Sequence, residues 1–89
     1  MKYRNRTVIT AQILEIAASG PVTKTVIMYK AFLSYIQLKE YLSTLMENGL
    51  IKHIPANDKY ITTEKGLKVL KMMDELSRLT NSKPSQIQS

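Results

Sequence analysis

The sequence of 89 residues contains no cysteine and a single histidine, His53. Without cysteine there are no disulfides and no thiolate metal sites, and a lone histidine leaves no cluster of zinc ligands. His53 has no Asp, Glu, Ser or Cys in a recognisable relation to it, so we expect an ordinary strand residue rather than an acid–base catalyst. Because no nucleophile–base pair or glycine-rich phosphate loop appears either, we predict no catalytic residue, no metal and no cofactor.

Long apolar runs and acidic residues are also scarce. No stretch approaches the roughly 18 apolar residues of a membrane span, so we expect a cytoplasmic protein without membrane contacts. The chain has 13 Lys and Arg against 7 Asp and Glu, for a net charge of +6. Residues 1–30 hold five of these basic side chains against Glu15 alone, which fits contacts to backbone phosphates. The alternative is that this charge serves solubility alone.

Two short helices joined by a tight turn are predicted between residues 23 and 50. Leucines recur at three- and four-residue spacing on one face of the second helix: Leu38, Leu42 and Leu45. Ser34 and Gln37 stand three apart, in the capping-box arrangement that begins a helix. Asn48 and Gly49 end it, because glycine accepts the left-handed conformation that a helix C-terminus commonly needs.

The segment before this helix indicates a helix-turn-helix. Thr23 is placed to cap a helix of about two turns over residues 24–30, with Ala31 on its inner side, and Phe32 and Leu33 then lead into the Ser34 cap. Helices with so short a connection cross steeply, as in the helix-turn-helix unit whose second helix enters a DNA groove. Tyr35 opens the second helix, where its phenol can hydrogen-bond a phosphate, whereas Tyr29 and Tyr41 are expected to pack.

The remaining elements predict a fold that is mainly α with a small β-hairpin. A first helix is predicted over residues 4–19, because isoleucines recur at helical spacing. Two runs rich in β-branched and aromatic residues, 50–54 and 59–62, predict strands, and residues 55–58 have the turn chemistry that joins them. This hairpin has the position of the wing in a winged helix-turn-helix domain.

A long C-terminal helix is capped by Thr63 and runs toward Ser82. Part of its apolar surface forms a separate arc with 3-4-3 spacing, made of Val69, Met72, Leu76 and Leu79, with Met73 at its edge. One globular body cannot easily cover both faces of a projecting helix, so this arc predicts a coiled-coil contact with a second copy of the chain. The alternative is that the helix folds back over the first helix and buries both faces within the chain.

Three segments carry a specific resemblance: KTVIMYKAFLSYIQLKEYL, LMENGLI and YITTEKGLKVL. They resemble a family of small archaeal winged-helix proteins, predicted transcriptional regulators related to dimeric archaeal chromatin-type DNA-binding proteins. The likeness covers about residues 4–80. It implies a winged helix-turn-helix with a long C-terminal dimerisation helix that pairs antiparallel in a homodimer.

The resemblance also implies DNA binding through the start of the second motif helix and the hairpin. With it, three regions are predicted: a DNA-binding region over residues 1–62, an antiparallel coiled-coil dimerisation helix over 63–82, and a disordered tail over 83–89. We therefore expect a homodimeric, nucleoid-associated DNA-binding protein, either a transcriptional regulator or a chromatin-associated protein.

The residues predicted to contact DNA are polar or basic: Arg4, Arg6, Lys24, Ser34, Tyr35, Gln37, Lys39, Ser43, Lys52 and Lys59. Gln37 suits adenine and Ser43 is a weaker base-edge candidate, while the basic residues would hold phosphates. Glu40 and Glu47 are repelled by phosphates, so modest and strongly salt-sensitive affinity is expected. The alternative function is a winged-helix module that binds another protein in a transcription complex, anchored by Phe32 and Ile36 if these are exposed.

Overall fold

The computed structural model describes residues 4–81, with the side chains of residues 80 and 81 excepted. It contains four helices and two strands: α1 (Arg6–Ile16), α2 (Lys24–Ala31), α3 (Tyr35–Glu47), β1 (Ile51–Ile54), β2 (Lys59–Thr62) and α4 (Glu64–Asn81). Their types and order are those that the sequence predicts. The predicted tail, 83–89, and the predicted end of the last helix at Ser82 lie outside the described residues.

The helix starts follow the predicted caps. The Thr23 hydroxyl accepts a hydrogen bond from the Val26 N–H at 3.2 Å, and the Thr63 hydroxyl accepts one from the Gly66 N–H at 3.0 Å. α1 is shorter than predicted, because the side chain of Asn5 caps it and the helix begins only at the next residue. Each cap satisfies a backbone N–H that the first turn of a helix leaves without a partner.

α2 and α3 end in the same way. In α3, the Leu50 N–H donates to the carbonyl five residues before it at 2.9 Å, and Gly49 has a φ of 72°. In α2, the Leu33 N–H donates to the carbonyl five residues before it at 3.1 Å, and Phe32 has a φ of 55°. Both ends are Schellman motifs, which require one residue in the left-handed conformation. Glycine fills that position in α3, and a phenylalanine fills it in α2.

One core joins all elements of the helix-turn-helix and the hairpin. Its largest members are fully or almost fully buried: Ile13, Leu14, Ile27, Leu38, Tyr41, Leu42, Leu45, Ile51 and Tyr60. Each of the three leucines predicted to line α3 lies in this core, and Tyr41 packs there as predicted. Tyr29 was expected to pack as well, and this prediction is wrong, because the side chain is 73% exposed.

β1 and β2 form the predicted antiparallel hairpin, with Ile51 opposite Thr62 and Ile54 opposite Lys59. The segment between α1 and α2 adds a further pairing, because Val22 exchanges two backbone hydrogen bonds with Tyr60, at 2.9 and 2.7 Å. The buried Thr62 hydroxyl donates to the Leu14 carbonyl of α1 at 2.7 Å. These bonds fix the hairpin beside the helix-turn-helix.

α4 starts against the hairpin and then leaves the body of the molecule. An 18-residue helix is about 27 Å long, and the described residues extend over 53 × 27 × 20 Å. The first part of α4 packs against α1, but Met72, Leu76 and Leu79 are each at least 60% exposed. The alternative that α4 buries both of its faces within the chain is therefore wrong. Within residues 4–81, no helix has the length and hydrophobicity that crossing a membrane requires.

Candidate nucleic-acid interface

The start of α3 is built by the capping box that the sequence predicts. The Ser34 hydroxyl accepts from the Gln37 N–H at 3.2 Å, and the Gln37 side-chain oxygen accepts from the Ser34 N–H at 3.0 Å. The box fixes the direction in which the chain enters α3, and it leaves Tyr35 and Ile36 exposed on the first turn. The first turn of a recognition helix is the part that reaches base edges in a helix-turn-helix.

Three of the predicted residues come together at this turn, and we call them the Tyr35 cluster: Lys24, Tyr35 and Lys39. The ammonium nitrogen of Lys24 lies 5.7 Å from the centre of the Tyr35 ring, and that of Lys39 lies 5.5 Å from it. Both distances are within the range of cation–π attraction. Since Tyr35 is about half exposed, the cluster presents two ammonium groups and a phenol to solvent at one place. That combination is suited to a phosphate group.

Gln37 has a second role that limits it as a reader of bases. Its side-chain oxygen is engaged in the capping box, whereas bidentate recognition of adenine uses both the oxygen and the nitrogen of the amide. Reading adenine in that manner would require the bond to Ser34 to break. In this conformation both side chains therefore stabilise the start of α3.

Arg4 is half-buried, and its guanidinium forms hydrogen bonds within the protein. Its guanidinium donates to the carbonyls of Ala31 and Phe32, the latter at 3.1 Å, and to the Gln12 side chain at 2.8 Å. Two carbonyls at the end of α2 thereby accept hydrogen bonds from a cation, which is a stabilising arrangement at a helix C-terminus. This guanidinium holds the turn between α2 and α3 through its hydrogen bonds to Ala31 and Phe32.

Arg6 and Ser43 lie at two other places along α3. The guanidinium carbon of Arg6 is 4.9 Å from the centre of the buried Tyr41 ring, so it lies beside the middle of the helix. Ser43 is exposed, on the outer face that also carries Glu40 and Glu47. No basic side chain of residues 4–79 forms an ion pair with either glutamate. The outer face of α3 is thus polar and locally acidic.

Lys52 and Lys59 share the outward face of the hairpin. In the register of the two strands, Lys52 is opposite Ile61 and Lys59 is opposite Ile54. Positions offset by two residues across an antiparallel pair lie about 7–8 Å apart, so the two lysines are diagonal neighbours. Lys52 is exposed and Lys59 is half-buried. Both are on the face that points away from the core.

His53 does have an acidic partner, contrary to the prediction from the sequence. Its Nε2 lies 2.7 Å from a carboxylate oxygen of Asp58, and its ring lies 4.8 Å from that of Tyr60. Asp58 has a φ of 55°, which curls the turn back so that residues five apart meet. The pair closes the hairpin, and it is largely exposed. Among residues 4–79 no group of three potential metal ligands occurs.

The five residues predicted to form a dimer seam separate into two sets. Val69 and Met73 are half-buried: Val69 packs against the core cluster, and Met73 lines a groove between α4 and α1. Met72, Leu76 and Leu79 are exposed along one flank of α4. The opposite flank carries the Asp74–Arg78 ion pair, at 2.8 Å. Apolar and charged side chains are thus segregated on the projecting part of the helix.

Sequence reasoning did not foresee the conformation of Phe32. The residue is 80% exposed and has a left-handed backbone conformation, both uncommon for phenylalanine. The available signal was the shortness of the connection between Ala31 and the Ser34 cap, which needs a left-handed residue to reverse the chain so quickly.

Comparison with known proteins gives matches over most of the chain. A family model described as winged helix-turn-helix matches residues 3–81. An uncharacterized protein of Methanocaldococcus jannaschii is 38% identical over 73 residues, which cover 82% of this chain and 73% of that protein. The crystal structure of Sso10a-2, a DNA-binding protein from Sulfolobus solfataricus, superposes with a TM-score of 0.73 and 27% identity, covering 88% of this chain and 83% of that one. The chain belongs to the winged helix-turn-helix family.

Proposed function

We propose that this protein binds double-stranded DNA through α3 and the hairpin, as a homodimeric regulator of transcription or organiser of chromatin in the nucleoid. The observation that carries the proposal is the Tyr35 cluster, in which two lysines flank an exposed phenol at the start of α3. The DNA-binding activity named for Sso10a-2, whose fold this chain shares, supports it.

In this arrangement the first turn of α3 enters the major groove and the Tyr35 cluster holds the adjacent phosphates. Lys52 and Lys59 would reach a second stretch of backbone, because they share the outward face of the hairpin. Ser43 faces base edges from the outer side of α3. Glu40 and Glu47, on the same side, are repelled by phosphates and accept only from groups such as the cytosine amino group. Affinity is therefore modest and most of it is electrostatic.

The test is a titration of duplex DNA between about 50 and 200 mM salt. Binding should weaken steeply over this range, because neutralised phosphates release counterions. The double variant Lys24→Gln, Lys39→Gln should bind more weakly and should lower the slope of log K against log salt by about 0.9 for each phosphate that it no longer neutralises. Fluorescence anisotropy of a labelled duplex measures both quantities.

The matched control is Lys68→Gln, an exposed lysine on α4 away from the Tyr35 cluster. Its slope and affinity should equal those of the wild type. Absence of binding at low salt, or binding that is indifferent to salt, would reject the proposal. If the control and the double variant change the affinity and the salt slope equally, the protein binds DNA but the Tyr35 cluster is not the site.

Dimerisation through α4 is the second part of the proposal. Its support is the apolar flank of Met72, Leu76 and Leu79 on a helix that projects from the body. An arc of this spacing is typical of a helix that pairs with another helix. A small domain that buries little surface by itself also gains stability from a partner subunit.

A second candidate function is a winged-helix module that binds a protein partner. Ile36 and Phe32 are both exposed, as that alternative requires. The carboxylates of Glu40 and Glu47, which form no ion pair within residues 4–79, suit a basic partner better than DNA. Replacing Lys24 and Lys39 with glutamate distinguishes the two functions. DNA binding should be abolished by this change, whereas binding of a basic protein should persist or strengthen.

A further inference from the structure

Two aromatic rings project into solvent at the end of α2. Tyr29 is 73% exposed and Phe32 is 80% exposed, three residues apart in the chain. Their backbones are linked, because the Phe32 N–H donates to the Tyr29 carbonyl at 3.3 Å. Neither ring contributes to the core, and neither is part of the Tyr35 cluster. Their exposure needs an explanation other than folding.

Besides exposing an apolar ring, Phe32 has an unfavourable backbone conformation. A left-handed conformation strains a bulky residue, and glycine adopts it without that penalty. At the end of α3 the equivalent position of the same motif is occupied by Gly49, which adopts the left-handed conformation with less strain. Strain retained at an exposed position indicates that the side chain is used.

The backbone beneath this ring is held firmly. The Arg4 guanidinium donates to the Phe32 carbonyl at 3.1 Å and also to that of Ala31. Hydrogen bonds from a charged donor are stronger than those between neutral groups. The turn therefore holds the backbone that carries the ring, which lowers the entropy lost when a ligand orders this segment.

The charge of the sequence around Tyr29 and Phe32 favours one class of ligand. From residue 16 to residue 39 the sequence has three lysines, Lys24, Lys30 and Lys39, and no acidic residue. Exposed aromatic rings interleaved with cations are the combination that binds single-stranded nucleic acids, in which bases stack on rings and cations hold the backbone. A purely apolar protein partner would not require the cations.

We propose that Tyr29 and Phe32 form a stacking site for unpaired bases, so that this protein binds single-stranded DNA in addition to duplex DNA. The two activities share the nearby lysines and differ in the use of the two rings. Bases stack on the rings at the end of α2, whereas duplex phosphates are held at the Tyr35 cluster.

The experiment compares two labelled strands of about 20 nucleotides, a length that exceeds the usual site size. One is oligothymidylate, and the other has the same phosphates but abasic sugars. Fluorescence anisotropy should give wild-type affinity for the thymidine strand about tenfold or more above that for the abasic strand, because only the former has bases to stack. The difference should persist as salt is raised, while both affinities fall.

The variants Tyr29→Leu and Phe32→Leu keep an apolar side chain and remove the ring. Each should lower affinity for oligothymidylate severalfold, and the double variant should bind both strands equally. Their affinity for duplex DNA should stay within about twofold of wild type, since removing a stacking ring affects unpaired bases. The Lys24→Gln, Lys39→Gln variant is the contrasting control, because it should weaken binding to both strands without changing their ratio.

Two results would overturn the inference. The first is equal wild-type affinity for the two strands, including a lack of binding to either. The second is unchanged oligothymidylate binding in the double leucine variant, which would favour docking of an apolar protein segment on the same surface. Circular dichroism of each variant verifies that the fold is intact. Duplex binding is measured separately, so failure here is distinguishable from failure of the proposed function.

Discussion

At the scale of the residue, Phe32 and Gly49 occupy the same position, the left-handed residue that ends a helix. Both reverse the chain after a helix with a positive φ, at 55° and 72° respectively. The variant Phe32→Gly should stabilise the protein by about 0.5–1 kcal/mol, because relief of left-handed strain exceeds the extra entropy of glycine in the unfolded chain. Little burial is lost with the exposed ring. Thermal unfolding should show a melting temperature raised by roughly 2–8 °C.

The matched change is Gly49→Ala, for which the opposite sign is expected. A Cβ at this position meets only the Lys65 side chain, at 3.9 Å, so backbone strain is the main cost. Stability should fall by about 1 kcal/mol. If Phe32→Gly instead destabilises the fold, the ring contributes to folding, and its exposure no longer indicates a binding role.

The residues that sequence reasoning misjudged are those whose partners lie far away in the chain or depend on a special backbone conformation. The Arg4 guanidinium meets carbonyls 27 and 28 residues away, a contact that no local pattern encodes. The His53–Asp58 pair spans a turn in which Asp58 has a positive φ, a conformation that no local pattern indicates for Asp58. Ser34 and Gln37 were predictable because both bonds of a capping box lie within one turn.

At the scale of the element, order and type followed from local signals. Leucines at helical spacing define the buried face of α3, and strand-forming residues around a turn define the hairpin. The sequence did not reveal how the elements dock. The pairing of Val22 with Tyr60 joins residues 38 apart, and it depends on the tertiary fold rather than on β propensity.

The docking of α4 gives a prediction at this scale. Gly66 lies in its first turn, and a Cβ there would be 2.2 Å from the Leu50 carbonyl oxygen and 2.6 Å from a Thr62 methyl carbon. Alanine normally stabilises a helix interior by about 1 kcal/mol relative to glycine. Here the clash with backbone should dominate, so Gly66→Ala should lower the free energy of unfolding by about 1–3 kcal/mol. Chemical denaturation measures the difference.

An exposed position on the same helix provides the control. Glu75→Ala should change stability by no more than about 0.5 kcal/mol, as is usual for surface substitutions. An increase in stability for Gly66→Ala would mean that α4 does not lie so close to the end of β2. The direction in which α4 leaves the body would then differ, and so would the geometry of the proposed dimer.

At the scale of the whole molecule, the proposed dimer would link α4 to DNA binding. A second copy that covers Met72, Leu76 and Leu79 would place two copies of α3 on one particle, and two linked sites bind a long duplex more tightly than either alone. The double variant Met72→Glu, Leu76→Glu should be monomeric at tens of micromolar, because it places charges where apolar side chains meet. Light scattering coupled to size exclusion reports the mass.

The affinity for long and short duplexes shows whether dimerisation contributes to DNA binding. The monomeric variant should lose about tenfold or more in affinity for a duplex long enough for two subunits, while its affinity for a duplex that fits one subunit stays near wild type. Lys71→Glu, an exposed change on the same helix but outside the apolar flank, should alter neither the mass nor this ratio. A wild-type protein that is already monomeric would remove the role of the flank. A dimer whose disruption leaves long-duplex affinity unchanged would instead mean that each subunit engages DNA independently, because linkage then adds nothing to binding.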